Sequence, residues 1–444
     1  MKKGIDMWAG FERYTDFNPD VPVYKIVRSG RPTIHRFFDS SPVSPSGRLI
    51  GLTEFPFEDR LPEPGDKAAV VVVDLISGDE VYRTETAAWD TQVGAQVQWG
   101  RDDHELYFNR MDVETWTPYG VCVDIGSGDE VRLDVTVYHV SETGQYVFSP
   151  DLIKISIAQA GYGVCVPSER VRRNFGASKD DGIFVLDRHS GEQRLLLSFS
   201  EIYDALRDRF VDLDLSKGAF YGFHTKVNRQ SDKVIFIIRW LPHESSNGKT
   251  KNYLITCDVN GGDINMAIDS VRWGGGHHPN WCPDGRSIVM NLVEVVSAGA
   301  LGRLTRFLER VAKRVGFRYF SNAFCMRFAI FDYKGSDFRI VAKSHFGSGH
   351  PSLSFDGRHI VTDCYPYERV AFGDGTVPLR LIDIVGDASR CVVRVPTRPN
   401  YEGRYREYRI DPHPVWDREG KLLIFNAAIS GQRSVFVADL SGCL

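Results

Sequence analysis

The chain reads as an all-β protein, a seven-bladed propeller of four-stranded antiparallel blades, and three observations predict it. A strand–turn–strand motif recurs seven times: SSPVSPSGRLIGLTEF from Ser40, QVQWGRDDHELYFNRM from Gln96, VYHVSETGQYVFSPDL from Val137, TKVNRQSDKVIFIIRW from Thr225, HPNWCPDGRSIVMNLV from His278, HPSLSFDGRHIVTDCY from His350 and HPVWDREGKLLIFNAA from His413. A second motif follows each of these, a strand that ends in Asp with Gly a few residues on. The third observation is an orphan strand near the start, VPVYKIVRS from Val21 to Ser29, in a chain whose seventh unit lacks its outer strand. Donated to that unit, the orphan closes the ring and covers an edge that would otherwise pair with other chains.

Taken in order, the turn of the first motif falls at Gly47, Asp103, Gly144, Asp232, Gly285, Gly357 and Gly420, residue types that tolerate the left-handed backbone of a hairpin. The third strands end at Asp74, Asp124, Asp187, Asp258, Asp332, Asp383 and Asp439. Fourth strands follow six of them, as in GDEVYRTET and SDFRIVAKS. One propeller domain therefore accounts for residues 1–444, with insertions at about 153–180, 198–223 and 293–325. The second insertion reads as a helix with Ile202, Leu206, Phe210 and Leu213 on one face. The third holds LGRLTRFLERVAKRVGFRYF, an amphipathic basic helix expected to pack on the rim.

Composition limits the function. The chain has 444 residues, 42% hydrophobic and 25% charged, and 54 basic against 58 acidic residues leave a net charge of −4. That excludes a strongly basic nucleic-acid binder. No apolar run approaches the ~20 residues of a membrane helix, and Met1-Lys2-Lys3 is not followed by the apolar stretch of a secretory leader. The eight cysteines sit mostly in strands, as reduced packed thiols do. The expected location is cytoplasmic, or secreted or periplasmic if a leader precedes residue 1.

Aligning the repeats brings four histidines together. His278, His350 and His413 open the innermost strands of blades five, six and seven, each followed by Pro, and His224 lies one residue ahead of that register in blade four. Equivalent positions of a closed ring lie at one height, so these imidazoles converge on one channel mouth, where Zn²⁺ or Mn²⁺ finds suitable ligands. The competing reading is that His-Pro-x-Trp is a packing signature of the blades. His277 alternates to the opposite side. Cys282, four residues along an extended strand from His278, is about 13 Å away and reads as packing.

The phrase HPNWCPDGRSIVMN, its echoes at His350 and His413, and QVGAQVQWG in blade two resemble the TolB-like propellers, and among them the propeller-type polysaccharide lyases, the ulvan and oligogalacturonate lyases. That resemblance implies β-elimination next to a uronic acid in an anionic oligosaccharide or polysaccharide, with Tyr and His for proton transfer and Arg on the carboxylate. The residues carried over are Tyr162 in AGYGVCVP and Arg173 (or Arg172) in the same insertion. Where a catalytic histidine is looked for in blade two the chain has Gln96, and His139 in blade three is the substitute. The alternatives are a non-catalytic TolB-like propeller that binds a protein or glycan, and a propeller glycoside hydrolase. There is no nucleophile elbow, phosphate loop or dinucleotide fingerprint.

Overall fold

A computed structural model describes residues 8, 10–26, 30–243, 248–274, 276–295, 324–398 and 409–443. Seven antiparallel sheets follow one another along the chain, six with four strands and one with five. In blade five, for example, His277–Trp281, Ser287–Val295, Phe324–Asp332 and Arg339–Val341 lie side by side in sequence order. The sheets are buried on both faces, so their middle strands read as continuous apolar runs rather than alternating ones. Ile288, Val289 and Met290 are all fully buried, as are Val70 to Val73 of blade one. Each such side chain contributes about 1.5–3 kcal/mol relative to exposure.

The seventh sheet closes as the sequence predicts. Val23–Lys25 pairs antiparallel with Gln432–Asp439, with Tyr24 opposite Val437, and the chain then adds a fifth strand, Glu12–Arg13, outside it. The repeated Asp has a local cause. In Asp74, Asp124, Asp187, Asp332, Asp383 and Asp439 one carboxylate oxygen accepts the backbone N–H two residues on, at 2.8–3.0 Å, which shapes the turn after the strand and, in all but the last, the hairpin to the fourth strand.

Two expectations change. The insertion after blade three is shorter than 198–223, because the innermost strand of blade four already starts at Gly218 and pairs as far as Pro242. Its helix covers only Phe199–Ala205, capped by Ser198 and Glu201, and Ile202 and Phe210 are buried. Blade one does not begin its innermost strand at Ser40. Thr33–Ile34 pairs with Glu54 and Thr53, Val43 bridges to Ile50, and residues 35–41 between them leave the sheet for the channel. The basic helix expected within 293–325 lies outside the described residues. Among the described residues no helix is long and apolar enough to cross a membrane.

The segment 35–41 fills the middle of the ring. Arg36 bonds to the Gln96 side chain at 2.7 Å and to the Tyr138 carbonyl at 2.5 Å, and its guanidinium also pairs with Asp39. Lys226 of blade four meets Asp39 at 3.2 Å and donates to the Pro279 carbonyl at 2.8 Å. Phe37 and Phe38 are fully buried between these charges.

Candidate functional site

The connections between blades and the loops between second and third strands emerge at one end of the ring, and on that end lies a cavity of about 360 Å³. Its lining includes Tyr162, His224, Arg239, His277, His278, Tyr365, Glu368 and Arg409. The histidines are placed by unusual backbone. His224, His278 and His413 adopt left-handed φ angles of 50°, 59° and 49°, as does Gln96 at 62°. Such geometry costs an imidazole-bearing residue about 1–2 kcal/mol, and strain of this kind gathers at functional sites. The register of the sheet also shifts around His224 and between His277 and Asn280, and with that bulge His277, expected to turn away from His278, lines the same cavity with its ring centroid 4.4 Å from that of His278. In blade six Gly349 takes the left-handed position (φ 58°), because a Cβ there would lie 2.0 Å from the Asp363 carboxylate. His350 follows it.

Asp363 is the hub beneath this arrangement. It is fully buried, and it accepts the backbone N–H of His350 at 2.7 Å, the His350 ring Nδ1–H at 2.9 and 3.0 Å, and the backbone N–H of His413 at 3.1 Å. A carboxylate on Nδ1 fixes the proton there and leaves the Nε2 lone pair free, the pattern of a metal-bound histidine. Nε2 of His350 and both ring nitrogens of His413 are buried and have no hydrogen-bond partner. Together with the Asp411 carboxylate they form a group whose ligand atoms lie within 4.8 Å of one another. Two imidazoles and a carboxylate suit a divalent ion such as Zn²⁺ or Mn²⁺, and the orphaned nitrogens fit one. Burial holds the His413 ring well below the usual imidazole range, so it is neutral at neutral pH, the form that ligates.

His278 is adjacent, its ring stacked on His350 with centroids 3.9 Å apart. The Gly349 carbonyl accepts from its Nδ1 at 2.7 Å, and its Nε2 meets the Tyr365 hydroxyl at 3.3 Å. His224 stands apart from this chain of rings. It stacks on Phe37 at 4.7 Å, packs edge-on to Tyr162 at 5.5 Å, and shares a short hydrogen bond between Nδ1 and the Tyr138 hydroxyl. The structure thus groups His278, His350 and His413 but gives His224 other neighbours. Phe37, which contacts His224, His350 and His413, occupies the space a common ion would need.

Tyr162 lies in the cavity wall, buried, with its phenol pushed up by burial, so it keeps its proton at neutral pH. The geometry does not bring the other carried-over residues to it. Arg173 is exposed and Arg172 lines a separate groove. His139 lies at the opposite mouth beside Asp39, in a cavity that also holds Lys226 and Cys282, and Gln96 is bonded to Arg36 in the channel. Cys282 packs with Val289, Phe328 and Ile330, as its spacing predicts. The arginines at the cavity are two that no motif marked. Arg409 bonds to Asp411 at 2.6 Å; burial opposes its charge, and Asp411 more than restores it. Arg239 donates to Asn252 at 2.7 Å, to Gln159 at 2.8 Å and to the Ala158 carbonyl, all uncharged acceptors, and burial pushes it down to about 10. The sequence reading marked neither Asp411 nor Arg239: the available signal for Asp411 was an acid two residues before His413, whereas Arg239 lies in a strand with no motif around it.

A seven-bladed propeller with a histidine-rich cavity at one mouth is therefore the class that fold and site define. No known protein family matches the chain. No curated protein matches it in sequence. Among solved structures it is similar to an oligogalacturonate lyase in complex with manganese, at 12% identity and a TM-score of 0.60 over 97% of this chain and 96% of that one. It is similar to the oligogalacturonate lyase of Vibrio parahaemolyticus at 12% identity and a TM-score of 0.58, with the same coverage. At that identity the likeness is one of fold.

Proposed function

We propose that this protein is a lyase that cleaves a uronic-acid-containing oligosaccharide or polysaccharide by β-elimination, with a divalent ion, manganese or zinc, held by His350, His413 and Asp411. One observation carries the reading: a partly buried guanidinium, Arg239, bonded among the described residues only to neutral acceptors, faces a cavity that also holds a neutral imidazole and a protonated phenol. A ligand carboxylate is what that charge lacks. Among the described residues the lining holds one carboxylate, Glu368, whereas a two-carboxylate glycosidase needs a pair. The manganese-bound lyase among the similar folds supports the same reading.

In this reading Arg239 pairs with the uronate carboxylate. His224, neutral because burial disfavours its charge, takes the C5 proton on Nε2 while its Nδ1–H donates to the Tyr138 oxygen. The C5–H electrons form the C4=C5 double bond, the C4–O bond breaks, and the leaving oxygen takes the Tyr162 proton. Return of a proton from His224 to Tyr162 through solvent resets the site. A divalent ion held by His350, His413 and Asp411 would supply positive potential that helps to acidify C5–H. Arg409 and His278 connect the ion-binding group to the cavity, since each lines it and touches Asp411 or His350.

The test is incubation with a panel of uronate oligosaccharides and Mn²⁺, read by the ultraviolet absorbance of the unsaturated uronate. Rising absorbance is expected. New reducing ends without it mark a hydrolase, binding without either marks a non-catalytic propeller, and both overturn the proposal.

A further inference from the structure

A groove of about 470 Å³ lies between blades two and three, lined by Thr115, Trp116, Thr117, Ile153, Glu169, Arg170 and Arg172. Trp116 sits in the turn between Glu105–Asp112 and Thr117–Asp124, and the arginines sit in the insertion that replaces the corresponding turn of blade three. In an antiparallel meander those turns share one end of the ring, the end that carries Tyr162 and Tyr365. The groove is therefore on the same face as the histidine-lined cavity. One insertion serves both: Tyr162 and Arg170 are eight residues apart, at most ~27 Å of extended chain, and Val164 and Val166 between them are anchored in the same core as Tyr162.

Two features of the groove need explanation. Trp116 takes a left-handed φ of 57°, where a hairpin turn normally places glycine, and its ring is only half-buried. A bulky residue in that conformation is a backbone outlier. Arg170 and Arg172 are exposed and form no ion pair among the described residues, while most other arginines around the blades pair with a nearby Asp or Glu. A flat aromatic face beside two free guanidiniums suits one sugar ring that carries an anionic group: the ring lies on the indole, and its carboxylate or sulfate takes the arginines.

We propose that this groove is a distal subsite for an anionic sugar residue of the same glycan, so that the ligand is a chain reaching from the central cavity across the rim of blade three. The inference rests on the lyase reading for the identity of the ligand. It is tested by calorimetric binding of galacturonate oligomers, from disaccharide to octasaccharide, to the full chain without added metal so that turnover is absent. In the parent protein affinity should rise with length. In Arg170→Ala/Arg172→Ala the long oligomers should lose about tenfold, the worth of one charge-assisted hydrogen bond; in Trp116→Ala they should weaken through the lost stacking face, and in both variants the disaccharide should bind unchanged. Length-independent binding by the parent, or equal loss at every length, overturns the subsite. An RNA oligonucleotide that binds with the same arginine dependence while no glycan does overturns it in favour of nucleic acid. If oligomers bind with the expected length dependence and are not cleaved when Mn²⁺ is restored, the subsite stands and the lyase reading falls; if none binds, both fall.

Discussion

Replacing Asp363 by Asn isolates what the carboxylate does beneath the histidines. Its two oxygens serve three N–H groups: the His350 backbone at 2.7 Å, the His350 ring at 2.9 and 3.0 Å, and the His413 backbone at 3.1 Å. An amide has the same shape but one acceptor. Whichever way it is turned, its NH₂ faces one of the two backbone donors, and a buried donor left without an acceptor costs about 1–3 kcal/mol. At ~2.1 cal/mol/K per residue, 444 residues give an unfolding entropy near ~0.9 kcal/mol/K. The metal-free melting temperature should then fall by about 1–3 °C. The larger effect is on the ion. Without an anionic partner the His350 ring is no longer held with its proton on Nδ1, and losses of this kind typically reduce metal affinity about 10–100-fold. Mn²⁺ titration followed by electron paramagnetic resonance measures it in the folded variant. A variant that binds Mn²⁺ as tightly as the parent, with an unchanged melt in chelator, refutes the assigned role of Asp363.

Other expectations follow from the same geometry. Deleting residues 1–30 removes the strand opposite Gln432–Asp439 and should yield aggregated protein on size exclusion; a monomer with unchanged melting would count against the closure. Burial pushes His35 down to about 4, so below about pH 6.5 the unfolded chain binds a proton that the native state refuses. Stability must fall as pH falls from about 6.5 to about 4, with His35 alone contributing a loss of about 2 kcal/mol near pH 5; His35→Phe should flatten that part of a denaturation profile, and an unaltered profile would contradict it. Tyr162→Phe keeps the ring and deletes the proposed acid, so turnover of a uronate substrate should drop ~10²–10⁴-fold with folding intact; activity within a few-fold of the parent removes Tyr162 from the mechanism.

The blades were legible because a repeat multiplies a weak signal. A single Asp before a Gly says little, but the same pair at the end of seven strands marks seven repeats, six of which turn into a fourth strand. His278, His350 and His413 were legible for the same reason, since one register placed all three. Residues that occur once escaped. Arg239 and Arg409 act from a strand and a loop with no motif, and Asp363 is paired with His350 by the sheet rather than by spacing. The repeat also misled at blade one. The run His35-Arg36-Phe37-Phe38-Asp39 interrupts the strand, and its signal was an Arg and an Asp flanking two phenylalanines, a pattern that cannot alternate between the faces of one sheet.

That interruption has a consequence for traffic and for electrostatics. Among the described residues Phe37 and Phe38, fully buried, form an aromatic partition between two cups, Phe38 lining the one that holds His139 and packing against His278 of the other, with Phe37 against Tyr162. If the lyase proposal holds, a product leaves this cup by the mouth through which its substrate entered and must clear it before the next is seated. Charges placed in that cup are screened from one side only, and the field of each is correspondingly stronger where the ligand sits.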